Sequence, residues 1–180
     1  SNVINQKIST LALQPNIFYN FKFIRKGADV ILYIDNDIWI NLSTNLLINL
    51  SSGGTILGSH SDGGVQRSLN GYMRNFKMFV GASEIPESYN DKKVLDLDFK
   101  PTRKSYLFKD NNNKCVIHPV NITQRDYQDG QYCVSFNGTD QYLQLGKNDL
   151  LNFGNDDFII EFKFNYKLAD NVTGGILLSS

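Results

Sequence analysis

Hydrophobic and polar positions in this chain recur in short runs with the two-residue period of strands, and clusters of Gly, Asn and Asp separate the runs. Phe158 to Tyr166 is the cleanest case, apolar and polar side chains alternating along its length. Val94 to Phe99 alternates in the same way and predicts a half-buried strand. Phe18 to Arg25, Val30 to Ile34 and Ile38 to Leu42 are rich in aromatic and β-branched residues, which suit a pleated surface. A turn at Lys26 to Asp29 joins the first two. Asp35-Asn36-Asp37 joins the second to the third as a hairpin, because Asp and Asn tolerate positive φ. Leu46 to Leu50 is a weaker segment, Thr55 to Gly58 a short strand, and Asp110 to Lys114 a turn. Leu69 to Val80 predicts a long strand. Strict alternation puts Tyr72, Arg74, Phe76, Met78 and Val80 on one face, and Met73, Asn75, Lys77 and Phe79 on the other. Tyr132 to Phe136 and Gln141 to Leu145 flank Asn137-Gly138-Thr139-Asp140, and the Asn-Gly pair predicts a hairpin. Gly175 to Ser179 reads as the last strand, and only Glu84 to Ser88 suggests a helical turn. Many short strands at even spacing predict an all-β antiparallel sandwich.

Composition supports that prediction and narrows the function. The 180 residues include twelve Phe and nine Tyr, a mix that favours strands. Eighteen basic residues balance eighteen acidic ones. A chain without surplus Lys and Arg is poorly equipped to displace counterions from nucleic acid or to dock on an anionic membrane, so neither partner is expected. No apolar run approaches the roughly 18 residues that a membrane span needs. Cys115 and Cys133 are too few for a disulfide scaffold and lack zinc-site spacing, so two buried thiols are expected rather than a bridge. Ser1-Asn2-Val3 shows no secretory pattern. Gly175 to Ser180 stops as a strand without a turn, and the chain is therefore expected to be part of a longer protein.

Several segments resemble the laminin G-like, concanavalin A-like jelly-roll superfamily. Ser135 to Gly146, Asn155 to Asn165 and Gly174 to Ser180 resemble segments of the first half of that fold. Phe18 to Asp37, Thr55 to Ser59 and Leu69 to Phe79 resemble its second half, but stand earlier in the chain. The order is thus rotated. Residues 1–92 read as the C-terminal half of one jelly roll and 93–180 as the N-terminal half of the next. The resemblance implies one closed sandwich, formed within the chain or by strand swapping in a dimer or trimer. Tandem jelly rolls and a true circular permutation both explain the order.

Candidate sites follow from side-chain chemistry. An exposed ring stacks on sugar C–H groups while planar polar groups bond hydroxyls, so Trp39, Tyr72, Arg74 and Asn75 are the candidate glycan contacts. For Trp39 a place in the core or at a hairpin edge is an equal reading. The loop residues His60, Asp62 and Arg67 form a second candidate. Asp35, Asp37, Asp156 and Asp157 offer oxygens for calcium, though Asp is also simply a good turn residue, and no spaced ligand loop is visible. Catalysis finds little support. Glu84 and Glu87 sit in one turn, Glu161 stands alone on its strand, and the pair of carboxylates that glycan hydrolysis needs is missing from the strands. His118, before Pro119 in an apolar stretch, reads as structural. The Asn- and aromatic-rich, Cys-poor composition is similar to that of bacteriophage tail fibre proteins. That likeness implies a virion module that binds bacterial surface polysaccharide. The alternatives are a carbohydrate-binding or adhesin module of a secreted bacterial protein, and a sandwich-fold glycan hydrolase or lyase.

Overall fold

The computed structural model describes residues 12–43, 48–49, 55–59, 68–82, 92–100, 108, 110–112, 114–122, 125–167 and 178–179. The strands are β1 Tyr19–Lys26, β2 Asp29–Ile34, β3 Asp37–Ser43, β4 Ile48–Asn49, β5 Ile56–Leu57, β6 Asn70–Val80 and β7 Lys93–Leu97. They continue as β8 Ile117–Val120, β9 Arg125–Gln128, β10 Gln131–Asn137, β11 Tyr142–Leu145, β12 Asn152–Gly154, β13 Phe158–Tyr166 and β14 Leu178–Ser179. A 3-10 turn, Asp149–Leu151, is capped by the Asn148 side chain.

The protein is an antiparallel β-sandwich. The main sheet runs β3-β2-β1-β13-β6-β10-β9, with β7 also paired to β6. A second sheet runs β14-β5-β11-β8, and β12 pairs with β4. The two stretches that the sequence separates at residue 92 interleave. Strand β13 lies between β1 and β6, β11 pairs with β5, and β12 pairs with β4. Phe158, Ile160, Phe162 and Phe164 of β13 point into the core, where Met73, Phe76 and Met78 of β6 meet Leu143 and Leu145 of β11. The alternation read from the sequence on β13 therefore describes one buried face. The opposite face holds a small separate cluster, Ile24, Phe79, Ala82 and Ile159.

Strand β6 departs from strict alternation. Between the pairs Glu161–Lys77 and Lys163–Arg74 it carries one residue more than β13. Asn75 lies there at φ 55, so the strand bulges. The bulge puts Met73, Phe76 and Met78 together in the core and turns Tyr72 and Arg74 to the outer face. The sequence prediction had grouped Tyr72 and Arg74 with Phe76 and Met78. The bulge also marks where the neighbour of β6 changes, from β10 along Asn70–Met73 to β7 along Phe76–Phe79.

Two turns exchange roles. Asn137 to Asp140 makes no hairpin, because β10 belongs to the main sheet and β11 to the second. The turn instead carries the chain across the sandwich. Its Asn137 Oδ1 accepts from the Thr139 and Asp140 amides at 2.9 and 3.2 Å. The hairpin lies at the other end of β10. Gln128 pairs with Gln131, leaving a two-residue loop of Asp129 (φ 48) and Gly130 (φ 75). Positive φ at both positions is the geometry that suits the twist of a tight hairpin, and Asp-Gly is well matched to it. Strand β8, also unforeseen, contains Pro119, and its place at a sheet edge explains why a residue without an N–H is tolerated. His118 in that strand is exposed rather than packed.

Candidate functional site

The outer face of the main sheet has three zones along the strands. At one end is the apolar cluster around Ile159 and Phe79. In the middle is an open groove of about 270 Å³ across β1, β13 and β6. At the other end, aromatic rings and cations are stacked around Tyr72 and Arg74.

Register builds the groove. Asn20 and Lys22 of β1 stand opposite Lys163 and Glu161 of β13, and Glu161 in turn stands opposite Lys77 of β6. The turn between β2 and β3 closes one side. Asp35, at φ 53, donates its N–H to the Asn20 carbonyl at 2.7 Å. Its carboxylate accepts from the Asn20 backbone and side-chain amides at 2.8 and 3.1 Å. That clamp places Asn36 on the groove wall. Asn75 reaches the groove from the bulge, its amide held by Gln131 Oε1 at 3.2 Å. The groove thus offers three planar amides, Asn20 on β1, Asn36 on the β2–β3 turn and Asn75 at the bulge of β6, with charged groups between them. Lys77 Nζ lies 3.6 Å from Glu161 Oε1.

Arg74, a predicted ligand contact, is already occupied. It is 6% exposed. Its guanidinium lies 3.8 Å from the centre of the Phe18 ring, NH1 donates to the Gln128 carbonyl at 2.9 Å, and NH2 approaches Asp129 at 3.8 Å. Arg74 therefore pins the β9–β10 hairpin turn to the sheet. Tyr72 is similarly engaged, with Phe18 6.4 Å away and Lys167 Nζ 4.2 Å from its ring centre. Trp39 sits at a bulge of β3 and packs against the main core, away from this face, with its indole N–H buried and without an acceptor among the described residues. Of the four glycan candidates only Asn75 lines the groove. His60, Asp62 and Arg67 lie outside the described residues, as do Glu84, Glu87 and the helical turn expected there.

The proposed calcium ligands do not converge. Asp35 and Asp37 belong to the turn beside the start of β1. Asp157 belongs to the turn beside its end, where Oδ1 accepts from the Gly27 amide at 2.7 Å. A strand of that length separates them by roughly 20 Å. Among the described residues no three His, Cys, Asp or Glu side chains gather as a metal site. Asp35 and Asp157 instead hold turns, through the Asn20 amides and the Gly27 amide.

Strand propensity alone missed a pair of rings. Tyr127 of β9 and Tyr132 of β10 face each other across the edge hairpin, centroids 5.0 Å apart, and are 61% and 36% exposed. The Asp129-Gly130 signal between them would have revealed the pairing. The two thiols are free and buried. Burial, with Asp110 near Cys115 and Asp126 near Cys133, pushes each up to about 11. Compared with models of protein families, with curated proteins and with solved structures, the chain matches none.

Proposed function

We propose that the chain is a glycan-binding module that uses the central groove of its main sheet, and that it serves a bacteriophage tail fibre in contacting bacterial surface polysaccharide. The observation that carries the binding reading is the set of three amides, Asn20, Asn36 and Asn75, held on strands and tight turns around an open polar groove. Planar amides match pairs of sugar hydroxyls, and a preorganised wall loses little entropy on binding. The tail fibre assignment rests on the resemblance in composition and segment order. A binder is favoured over a hydrolase because both groove carboxylates are engaged, Asp35 by Asn20 and Glu161 by Lys77. Glycan hydrolysis needs one such group as a proton donor.

The test is an amide-detected NMR titration of the labelled chain with purified bacterial surface polysaccharides. The side-chain NH2 signals of Asn20, Asn36 and Asn75 are expected to shift together. Shifts confined to Tyr127 and Tyr132 would move the site to the edge hairpin. No response to any polysaccharide would remove the glycan reading.

A further inference from the structure

The charges inside the groove are unequally engaged. Three lysines, Lys22, Lys77 and Lys163, face two carboxylates, Asp35 and Glu161. Asp35 is taken by the Asn20 amides. Glu161 stands opposite both Lys22 and Lys77 but pairs with Lys77. Lys22 and Lys163 are left half-buried on the groove wall, with no ion-pair partner among the described residues. The whole chain has zero net charge, so this positive excess belongs to the groove and not to the molecule. Strand backbones fix both lysines close to the amides that would hold a sugar ring.

We infer that the groove selects an anionic glycan, with Lys22 and Lys163 receiving a carboxylate or phosphate carried by the sugar. The inference rests on the glycan reading above and names the class of sugar. Partial burial keeps the ammonium groups from full solvent screening, so a charged substituent gains more here than at an exposed lysine. Lysine offers a point charge without the planar fork of arginine, and therefore accepts either anion. Selection then depends on charge more than on the shape of the anionic group.

The experiment is an array of bacterial capsular and lipopolysaccharide glycans probed with the full chain. Each uronate-bearing glycan is paired with its carboxyl-reduced form and each phosphorylated one with its dephosphorylated form. The charged member of a pair is expected to bind roughly tenfold more tightly at low salt. That preference should weaken in 0.5 M NaCl, where the Debye length falls to about 4 Å from about 30 Å at 0.01 M. The double variant Lys22→Gln/Lys163→Gln should bind the charged and neutral members of each pair equally. Lys147→Gln, an exposed lysine outside the groove, should leave the preference unchanged, and thermal melts confirm that each variant is folded. The uronate and phosphate pairs report separately which anion is read. Equal binding of charged and neutral members, or a preference unaltered in the double variant, overturns the inference while leaving the glycan reading in place. No binding to any glycan removes both.

Discussion

Strand β13 carries two kinds of surface on one backbone. Toward the second sheet it presents Phe158, Ile160, Phe162 and Phe164, all buried among other rings and aliphatic chains. Toward the outside it presents Ile159, then Glu161 and Lys163, then Asn165, passing from an apolar patch through the groove to a buried polar end. The inner face is held by filled volume, a property shared by many atoms at once. The outer face is held by particular atoms in particular places: one guanidinium on one ring, one carboxylate on two amides. Damage to the first is expected to appear as lost stability, and damage to the second as lost geometry or lost binding.

The sharpest way to break that contrast is on the inner face. Phe162 stacks on Phe21 at 4.4 Å and on Phe76 at 5.3 Å. Phe162→Ala is expected to cost about 3–5 kcal/mol in urea unfolding. A cost below about 1 kcal/mol would mean that the core closes over the void. Next comes the buried end of the outer face. Arg74→Ala removes the bond to Gln128 and the stack on Phe18, an expected loss of about 2–3 kcal/mol by the same measurement. Arg74→Lys should recover less than half of it, because an ammonium lacks the planar fork. If Arg74→Ala is silent, the residue belongs with the solvated charges. At the bulge, Asn75→Ala should cost about 1 kcal/mol, and Asn75→Gly much less, since only the backbone at φ 55 is at issue. Equal costs would point to the Gln131 contact instead.

A smaller effect follows from the thiols. Their ordinary value is 9.0, and burial raises both to about 11 in the fold. Between those values the unfolded chain releases protons that the folded chain retains. The contribution of the thiols is therefore complete below pH 9 and declines as pH rises toward 11. Unfolding at pH 8 and pH 10 should show a loss that is reduced in Cys133→Val. An identical loss in that variant would assign the alkaline slope to other groups. The smallest change in stability, within about 0.5 kcal/mol, is expected for Asn36→Ala on the exposed turn, accompanied by several-fold weaker glycan binding. A stability loss as large as that of Arg74→Ala would make the turn structural and weaken its place in the site.

Local alternation made much of the fold legible. The nine-residue β13, the β1–β2–β3 hairpins and the half-buried β7 can be read directly, because each depends on neighbours in sequence. The bulge at Asn75 is hidden from such a reading, since one inserted residue reverses every later side chain without changing composition. The two Gly turns around β10 show a second limit. Asn137-Gly138 and Asp129-Gly130 have similar chemistry, yet only the strands on either side decide which becomes a hairpin and which crosses the sandwich. The groove was the least legible feature. Asn20, Asn75 and Lys163 are far apart along the chain and meet only through the order of strands in the sheet. Of the residues singled out for their chemistry, Asn75 lines the groove, while Arg74 beside it clamps the β9–β10 hairpin.

Strand β13 also has a consequence for the order of synthesis. It pairs with β1 on one side and β6 on the other, so the facing edges of those two early strands stay open until residues 158–166 arrive, although β1 already pairs with β2 and β6 with β7. During translation the first half of the chain leaves the ribosome with two unpaired edges and an uncovered apolar face, the state most exposed to mispairing. Closure of the sheet joins segments more than a hundred residues apart, which makes folding slow compared with a meander of the same size. Slow closure also lengthens the interval in which the β13 of a neighbouring nascent chain can enter the gap.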